Sequence, residues 1–400
     1  MKKVFWGICI LFILPCLPLR AMDFGLILDQ SGGYGGFGGE GNADYKAALI
    51  PRFSTLFGES GAIYVSAGMN AEYAYENWSF LPELLRTEFS WLFPSSELII
   101  GRMSYSDPTG LIASGLFDGG RFTLGTGIGT LSLGGWYTGF LYKSRANIAM
   151  TYDEYVSLST KVDYNDFSDT YFAPKRFFTA LDWAQPSLVG SLFRARLSLL
   201  GQFDLTGEEL HTQYLIGTLA YPFKAFLFNF GGNLGFTGLF DGDPEMFFAA
   251  ELRADWMPPL AFQSRLSFLG RYGSGASGNI GAFLPITVQA QGVVFDVSPS
   301  GITMLSLAYA ARINRTFSAS LSSSYFIRNG TETFVSYPVS EETENGYLLG
   351  NEFFGRLYWS PFSDLSINVG AGVFLPSMGN VTSDLHNKWR VEFGVVLSLY

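Results

Sequence analysis

Cysteine is nearly absent. The 400 residues hold two, Cys9 and Cys16, both in the first 21 positions, so the rest of the chain offers no disulfide framework and no thiolate for metal binding or nucleophilic attack. Histidine is as scarce, with His211 and His386 alone and no second metal ligand at close spacing to either. His211-Thr212-Gln213 and His386-Asn387-Lys388 lack the His-x-Ser arrangement of a membrane phospholipase, and Asp384-Leu385-His386 is the one thin histidine–carboxylate candidate for a protease. The sequence therefore points to no enzyme, no cofactor and no metal. Charge is sparse at 15%, and the net value of −10 argues against a nucleic-acid partner. Beyond the first residues no run reaches the roughly 18 apolar residues of a membrane helix, and there is no linker, heptad or solenoid repeat.

What the chain has in excess is aromatic side chains, 17% with 38 phenylalanines, and 47 glycines. Residues 1–21 read as a secretory leader: Lys2 and Lys3, an apolar run from Val4 to Leu17, then Pro18-Leu19-Arg20-Ala21. A lipoprotein cut before Cys16 is the alternative, which Pro15 disfavours. Residues 22–400 are then one domain. A chain apolar enough for a membrane but without a spanning helix has the closed barrel as its solution, because only helices and closed barrels satisfy every backbone group in lipid.

The predicted fold is an all-β, transmembrane, antiparallel up-and-down β-barrel. Lys388 to Leu399 alternates strictly, with Trp389, Val391, Phe393, Val395, Leu397 and Leu399 on one face and Lys388, Arg390, Glu392, Gly394 and Ser398 on the other. Residues 63–73, 193–204, 226–236 and 317–327 repeat this pattern, and a short strand is expected near 23–29. The edge strand of a soluble sandwich is the alternative, but so many long strands with a glycine- and serine-rich second face fit a wide, wet barrel. The glycine run 31–39 lacks the Lys-Ser/Thr and the helix of a phosphate cradle and reads as a loop, and Gly125, Gly127 and Gly129 read as a tight turn.

Short connections at 93–96, 221–223, 257–259, 312–314 and 360–362 read as periplasmic turns; Lys143–Lys175 and Asn329–Gly346 read as outer loops. Counting strands back from a periplasmic carboxy terminus places Gly273–Ser300 in an outer loop reaching into the pore, which leaves about 18 strands, with 16 as the alternative. Trp91, Trp136, Tyr137, Trp183, Trp256 and Trp359 are the expected interfacial girdle. A basic side chain facing lipid costs about 2–4 kcal/mol at mid-bilayer. Arg86, Arg194, Arg196, Arg253, Arg265, Arg271 and Arg356, with Glu251, are therefore assigned to the lumen. They form either a basic constriction that attracts anions or a lattice with Glu72, Glu88, Asp204, Asp255 and Glu352 that braces the wall. A tight turn at 257–259 would set Glu251 opposite Arg265.

Glu392-x-Gly394-x-x-Leu397-x-Leu399 resembles the carboxy-terminal β-signal read by the barrel-assembly machinery of bacterial outer membranes, with leucines where aromatics are usual and Tyr400 as an extra residue. Gly101-Arg102, Ser106-Asp107-Pro108, Gly115-Leu116-Phe117-Asp118-Gly119, Phe374-Leu375-Pro376-Ser377 and the terminal Tyr400 carry a resemblance to porin-like barrels of spirochaetes, treponemes especially. That resemblance implies a barrel in the outer membrane among its lipids, and transfers no ligand residue. Two functions follow as expectations: a porin-like channel for passive diffusion of small hydrophilic, anionic solutes, or a surface barrel with an occluded lumen that binds partners through its outer loops. A channel for long apolar molecules would want an amino-terminal plug, for which residues ahead of the first strand leave no room.

Overall fold

The computed structural model describes residues 19–37, 40–74, 76–190, 192–207, 210–238, 244–260, 262–277, 280–330, 346–380 and 386–400. Most of the expected leader and residues 331–345 of the second outer loop lie outside them. Eighteen strands form one sheet. They are β1 (Leu19–Phe37), β2 (Glu40–Phe57), β3 (Gly61–Ala74), β4 (Asn77–Leu92), β5 (Ser96–Ser106) and β6 (Ser114–Thr126). Then come β7 (Gly129–Tyr137), β8 (Arg176–Leu188), β9 (Phe193–Asp204), β10 (Thr212–Phe223), β11 (Phe226–Thr237) and β12 (Glu245–Trp256). The last six are β13 (Gln263–Gly273), β14 (Ile302–Arg312), β15 (Phe317–Arg328), β16 (Leu348–Phe362), β17 (Leu365–Leu375) and β18 (Lys388–Leu399). Each pairs antiparallel with its sequence neighbours, and β1 pairs with β18 from Leu26↔Leu399 to Phe37↔Lys388, so the sheet closes on itself.

Period-two patterning sorts the faces as expected. Leu197, Leu199, Leu252, Phe268, Leu357, Val391 and Phe393 are exposed on the outside, and the intervening arginines face the lumen. All eight assigned lumen residues lie on that face. Arg86 reaches it through a bulge: the β3–β4 register slips between Ser66/Ala67 and Arg86/Leu84, and Leu85 is the extra residue, so Glu83 and Arg86 both point inward.

Several expectations are corrected. The glycine run is strand, not loop, as far as Phe37, because glycine lets neighbouring side chains lie across β1: a Cβ at Gly32 would meet the Phe393 ring at 2.7 Å, and one at Gly33 the Arg390 guanidinium at 2.5 Å. β1 spans Leu19–Phe37, far longer than the short strand expected near 23–29. Pro222 and Pro361 sit within the ends of β10 and β16, and the turns fall just beyond, at 224–225 and 363–364. Trp136 is no girdle residue. Its even position on β7 turns it inward, where it is fully buried against Tyr105 (ring centroids 4.2 Å) and Phe178 (5.1 Å).

The β12–β13 register also differs. Glu251 pairs with Arg271 and Trp256 with Leu266, because the connection spans residues 257–262 and is not a tight turn at the prolines. The acid does find an arginine, Nη2 to Oε2 at 2.5 Å, but six residues beyond the expected one. Cysteines replacing Glu251 and Arg271 are therefore expected to form a disulfide on mild oxidation, and the Glu251/Arg265 pair is not. Linking of the second pair alone would overturn this register.

Candidate functional site

Three connections at the outer end fold into the barrel. The first, 107–113 between β5 and β6, is wound round one carboxylate: Asp107 accepts from the backbone N–H groups of Thr109 (2.8 Å), Gly110, Ile112 and Ala113 (2.9 Å each). The second, 138–175 between β7 and β8, carries α1 (Lys143–Ala146), α2 (Tyr152–Ser159) and α3 (Phe167–Tyr171). Thr151 and Glu154 form a capping box at the start of α2. Glu154 also accepts from Arg176 of β8 at 2.6 Å, which ties the helix to the wall through a fully buried guanidinium.

The third connection, 274–301 between β13 and β14, is the inward loop expected from strand counting. Glu352 of β16 holds it by accepting from the backbone N–H groups of Val293 (3.0 Å), Val294 (2.8 Å) and Phe295 (2.7 Å). Gln291 accepts from Arg271 at 2.8 Å. Glu352 was assigned to a charge lattice, but its partner is a loop backbone.

Apolar residues then lock the loops in place. Ile112, Ile148, Phe283 and Ile286 pack on the inward faces of Phe117, Trp136, Phe178, Leu200, Tyr214 and Phe247, filling the lumen along β5 to β12. Phe295 sits between Phe374 (4.1 Å) and Phe326 (5.1 Å), filling it along β14 to β17. Among the described residues two regions stay open: a cavity of about 710 Å³ at the opposite end of the barrel, lined by Arg265, Arg312, Ser318, Ser320 and Tyr358, and a polar region that reaches β1 to β4.

There three cavities join. An outer one of about 390 Å³ lies between α2 and the 283–300 stretch. It shares Asn147 and Val288 with one of about 370 Å³, which shares Lys46 and Arg145 with a third of about 410 Å³ lined by Asp29, Tyr64 and Arg86. Lys46 and Arg145 thus stand where the second and third cavities adjoin, the waist of a polar path. Both are paired, Lys46 with Glu72 at 2.6 Å and Arg145 with Glu83 at 2.8 Å, and Arg86 holds Glu88 at 2.6 Å. In each pair the base is the more exposed partner: 37% against 24% at Lys46/Glu72, 40% against 2% at Arg145/Glu83, 40% against 16% at Arg86/Glu88. The carboxylates recede into the wall and the cations project. Hydrogen bonds to Glu83 push the Arg145 pKa up against its burial, so this loop cation is charged throughout the physiological range.

Of the eight assigned lumen residues, only Arg86 lines this path, in the third cavity beside the waist. Arg271 with Glu251 anchors the inward loop; Arg194, Arg196, Arg253, Arg265 and Arg356 line the lumen wall elsewhere, with Arg253 at 3.0 Å and Arg265 at 3.9 Å from Asp255. Arg356 bonds Glu392 of the terminal strand, which also accepts from Arg390. Lys46 and Arg145 escaped sequence reasoning because Arg145 sits on a loop helix whose position no strand pattern encodes. Gly394 has Asn368 where its Cβ would be, Leu397 pairs with Leu28 and Leu365, Leu399 faces outward, and the Tyr400 ring lies 4.2 Å from Arg52. His211 accepts from the Asp204 N–H and His386 stacks on Phe37, while Asp384, the carboxylate candidate beside His386, lies outside the described residues.

Comparison with solved structures finds the same architecture in outer-membrane proteins of Pseudomonas aeruginosa. OccK2 (OpdF), in complex with glucuronate, aligns with a TM-score of 0.64 at 12% identity, over 95% of this chain and 98% of that one. OccK5 (OpdH) gives 0.63 at 10% identity over 94% and 98%, and OprD 0.58 at 13% over 94% and 93%. No protein-family model and no curated protein sequence matches the chain. At such identities the likeness is one of fold.

Proposed function

We propose that this barrel is an outer-membrane channel for passive diffusion of small hydrophilic solutes, with a preference for anions. The observation that carries the reading is the waist of the path, where Lys46, Arg145 and Arg86 project while their carboxylate partners withdraw. Charges at the narrowest and least screened place govern selectivity, whereas the acids of the outer loops act through about 8 Å of physiological salt. Of the arginines that the sequence offered as either a paired lattice or a basic constriction, Arg86 alone takes part here, paired with Glu88 and projecting into the path. A carboxylate solute suits such a waist, and glucuronate, the molecule held by OccK2, is the first to try. Glu392, Gly394, Leu397 and Leu399 are proposed to serve the assembly machinery, with Glu392 and Gly394 also seating the closing strand.

Purified protein in a planar bilayer under a KCl gradient is expected to conduct, with a reversal potential on the anion side, and glucuronate is expected to reduce the KCl current. A silent bilayer would favour the surface-binding reading, and a cation-side potential would remove the role given to the three bases.

A further inference from the structure

Among the described residues the wall has a seam at β4 that strand pairing does not close. The β4–β5 ladder covers only Thr87–Leu92 against Arg102–Glu97, yet β4 continues to Asn77, and the edge of residues 77–86 has no strand beside it among the described residues. Above Arg102 the β5–β6 hairpin turns into the lumen, where Leu116 lines the path with Arg86 and Arg145.

Segment 138–175 fills the vacated wall, docked by side chains. The Tyr164 hydroxyl accepts from Phe80 N–H at 2.9 Å and donates to Phe80 C=O at 3.0 Å, Tyr171 donates to Pro82 C=O at 2.6 Å, and Arg102 donates to Leu84 C=O. Phe80, Pro82 and Leu84 are alternate residues, so these are successive carbonyls of one free edge. Pro82, without an N–H, suits an edge that no strand covers. Arg102 is held by Asp118 at 2.7 Å and also donates to Phe140 C=O. Burial pushes the Tyr171 pKa up to about 12, which keeps its hydroxyl a donor.

The surroundings are apolar on both sides. Behind the seam Tyr142 and Phe167 stack on Tyr171 (4.9 and 4.5 Å) over buried Leu81; outside, Trp78, Phe80, Leu84 and Phe140 are exposed. From Trp91 at the periplasmic rim of β4 to Trp78 is roughly 30 Å of height at about 3.3 Å per residue and a strand tilt near 45°. Phe80 to Leu84 therefore faces the outer half of the bilayer. Held to the edge by side-chain hydrogen bonds alone, this stretch of the wall can part without breaking a backbone ladder.

We infer that the seam is a lateral port through which a single-chain anionic amphiphile passes between the outer leaflet and the lumen, its head group beside Arg145 and Lys46 and its chain between β4 and the 138–175 segment. The inference rests on the reading of the lumen as water-filled. One strand separates the two media here, since Glu83 and Arg86 face the lumen from the same β4 that shows Phe80 and Leu84 outside.

The test joins the seam. Cysteines replace Pro82 and Tyr171 in a chain carrying Cys9→Ser and Cys16→Ser, and a reducible bis-maleimide links them. Vesicles receive fluorescent lysophosphatidylglycerol in the outer leaflet, and albumin, too large for the pore, extracts what has stayed outside. Linking is expected to slow the growth of the albumin-resistant fraction about tenfold, to leave KCl conductance unchanged, and to be reversed by reduction. Equal rates in linked and unlinked protein, or a rate in unlinked protein no faster than in empty vesicles, would overturn the port. Loss of conductance together with transfer would also overturn it, as general closure. Protein-dependent, link-sensitive transfer without any KCl conductance would keep the port and reject the channel reading.

Discussion

Glu352→Ala is expected to raise single-channel conductance about threefold while the barrel stays folded, because it releases the 274–301 loop from the lumen. Three backbone N–H groups converge on this one carboxylate, and hydrogen bonds to a charged acceptor are worth about 1.5–3 kcal/mol each. With the acceptor gone, the buried N–H groups of Val294 and Phe295 lose their partner in a place where water enters only if the loop moves. Phe295 would still hold through its place between Phe326 and Phe374, so Glu352→Ala combined with Phe295→Ala is expected to go further and to expose the loop to added protease. Glu352→Gln keeps one acceptor oxygen and should lie between. The wall does not depend on the contact, since the backbone ladders from β15 to β17 on either side of Glu352 are unaffected. Unchanged conductance in the double variant, with the loop still resistant to protease, would show that the loop does not set the width of the path.

The wall was legible in the sequence and its contents were not. β9, β11, β15 and β18 emerge with nearly their observed ends, because lipid outside and water inside impose a period of two that local residues must obey. Strand count followed from turn lengths, which also placed the 273–300 stretch inside. Where glycine replaces side chains, as at 32–36, the pattern has nothing to alternate, and the strand is visible only through what β18 lays across it. Trp136 was misassigned for a related reason: an aromatic near a strand end reads as an anchor unless one knows that a loop has brought a core to that end. Lys46, Glu72, Glu83 and Arg145 meet from two wall strands, β2 and β3, a bulged third and a loop helix, and only the bulge at Leu85 left any mark in the chain, as Glu83 and Arg86 at odd spacing. The seam had a trace too, in Pro82 within an otherwise apolar strand.

Neutralising the waist is expected to invert ion preference. In Lys46→Gln with Arg145→Gln and Arg86→Gln, the acids Asp29, Glu72, Glu83 and Glu88 remain around the same path and lose the cations that now stand in front of them. Glutamine retains an amide donor at each position, and Asn70 still donates to Glu83 at 2.8 Å, so the buried carboxylate keeps a partner and the loop keeps its seat. With the projecting cations gone, the acids behind them set the charge that a permeating ion meets, and the anion-to-cation permeability ratio should fall about tenfold and cross unity. Salt dependence separates this from an effect at the mouth. The Debye length shrinks from about 10 Å at 0.1 M to 3 Å at 1 M, so a preference set by distant loop acids would fade at high salt, while one set by groups that touch the permeating ion persists. Reversal potentials in gradients centred on both concentrations make the measurement. Arg194→Gln with Arg196→Gln serves as the comparison, since these bases face the lumen away from the waist and their loss should move the ratio little. If that pair shifts the potential as far as the waist triple does, selectivity resides along the whole wall and the constriction has no special part in it.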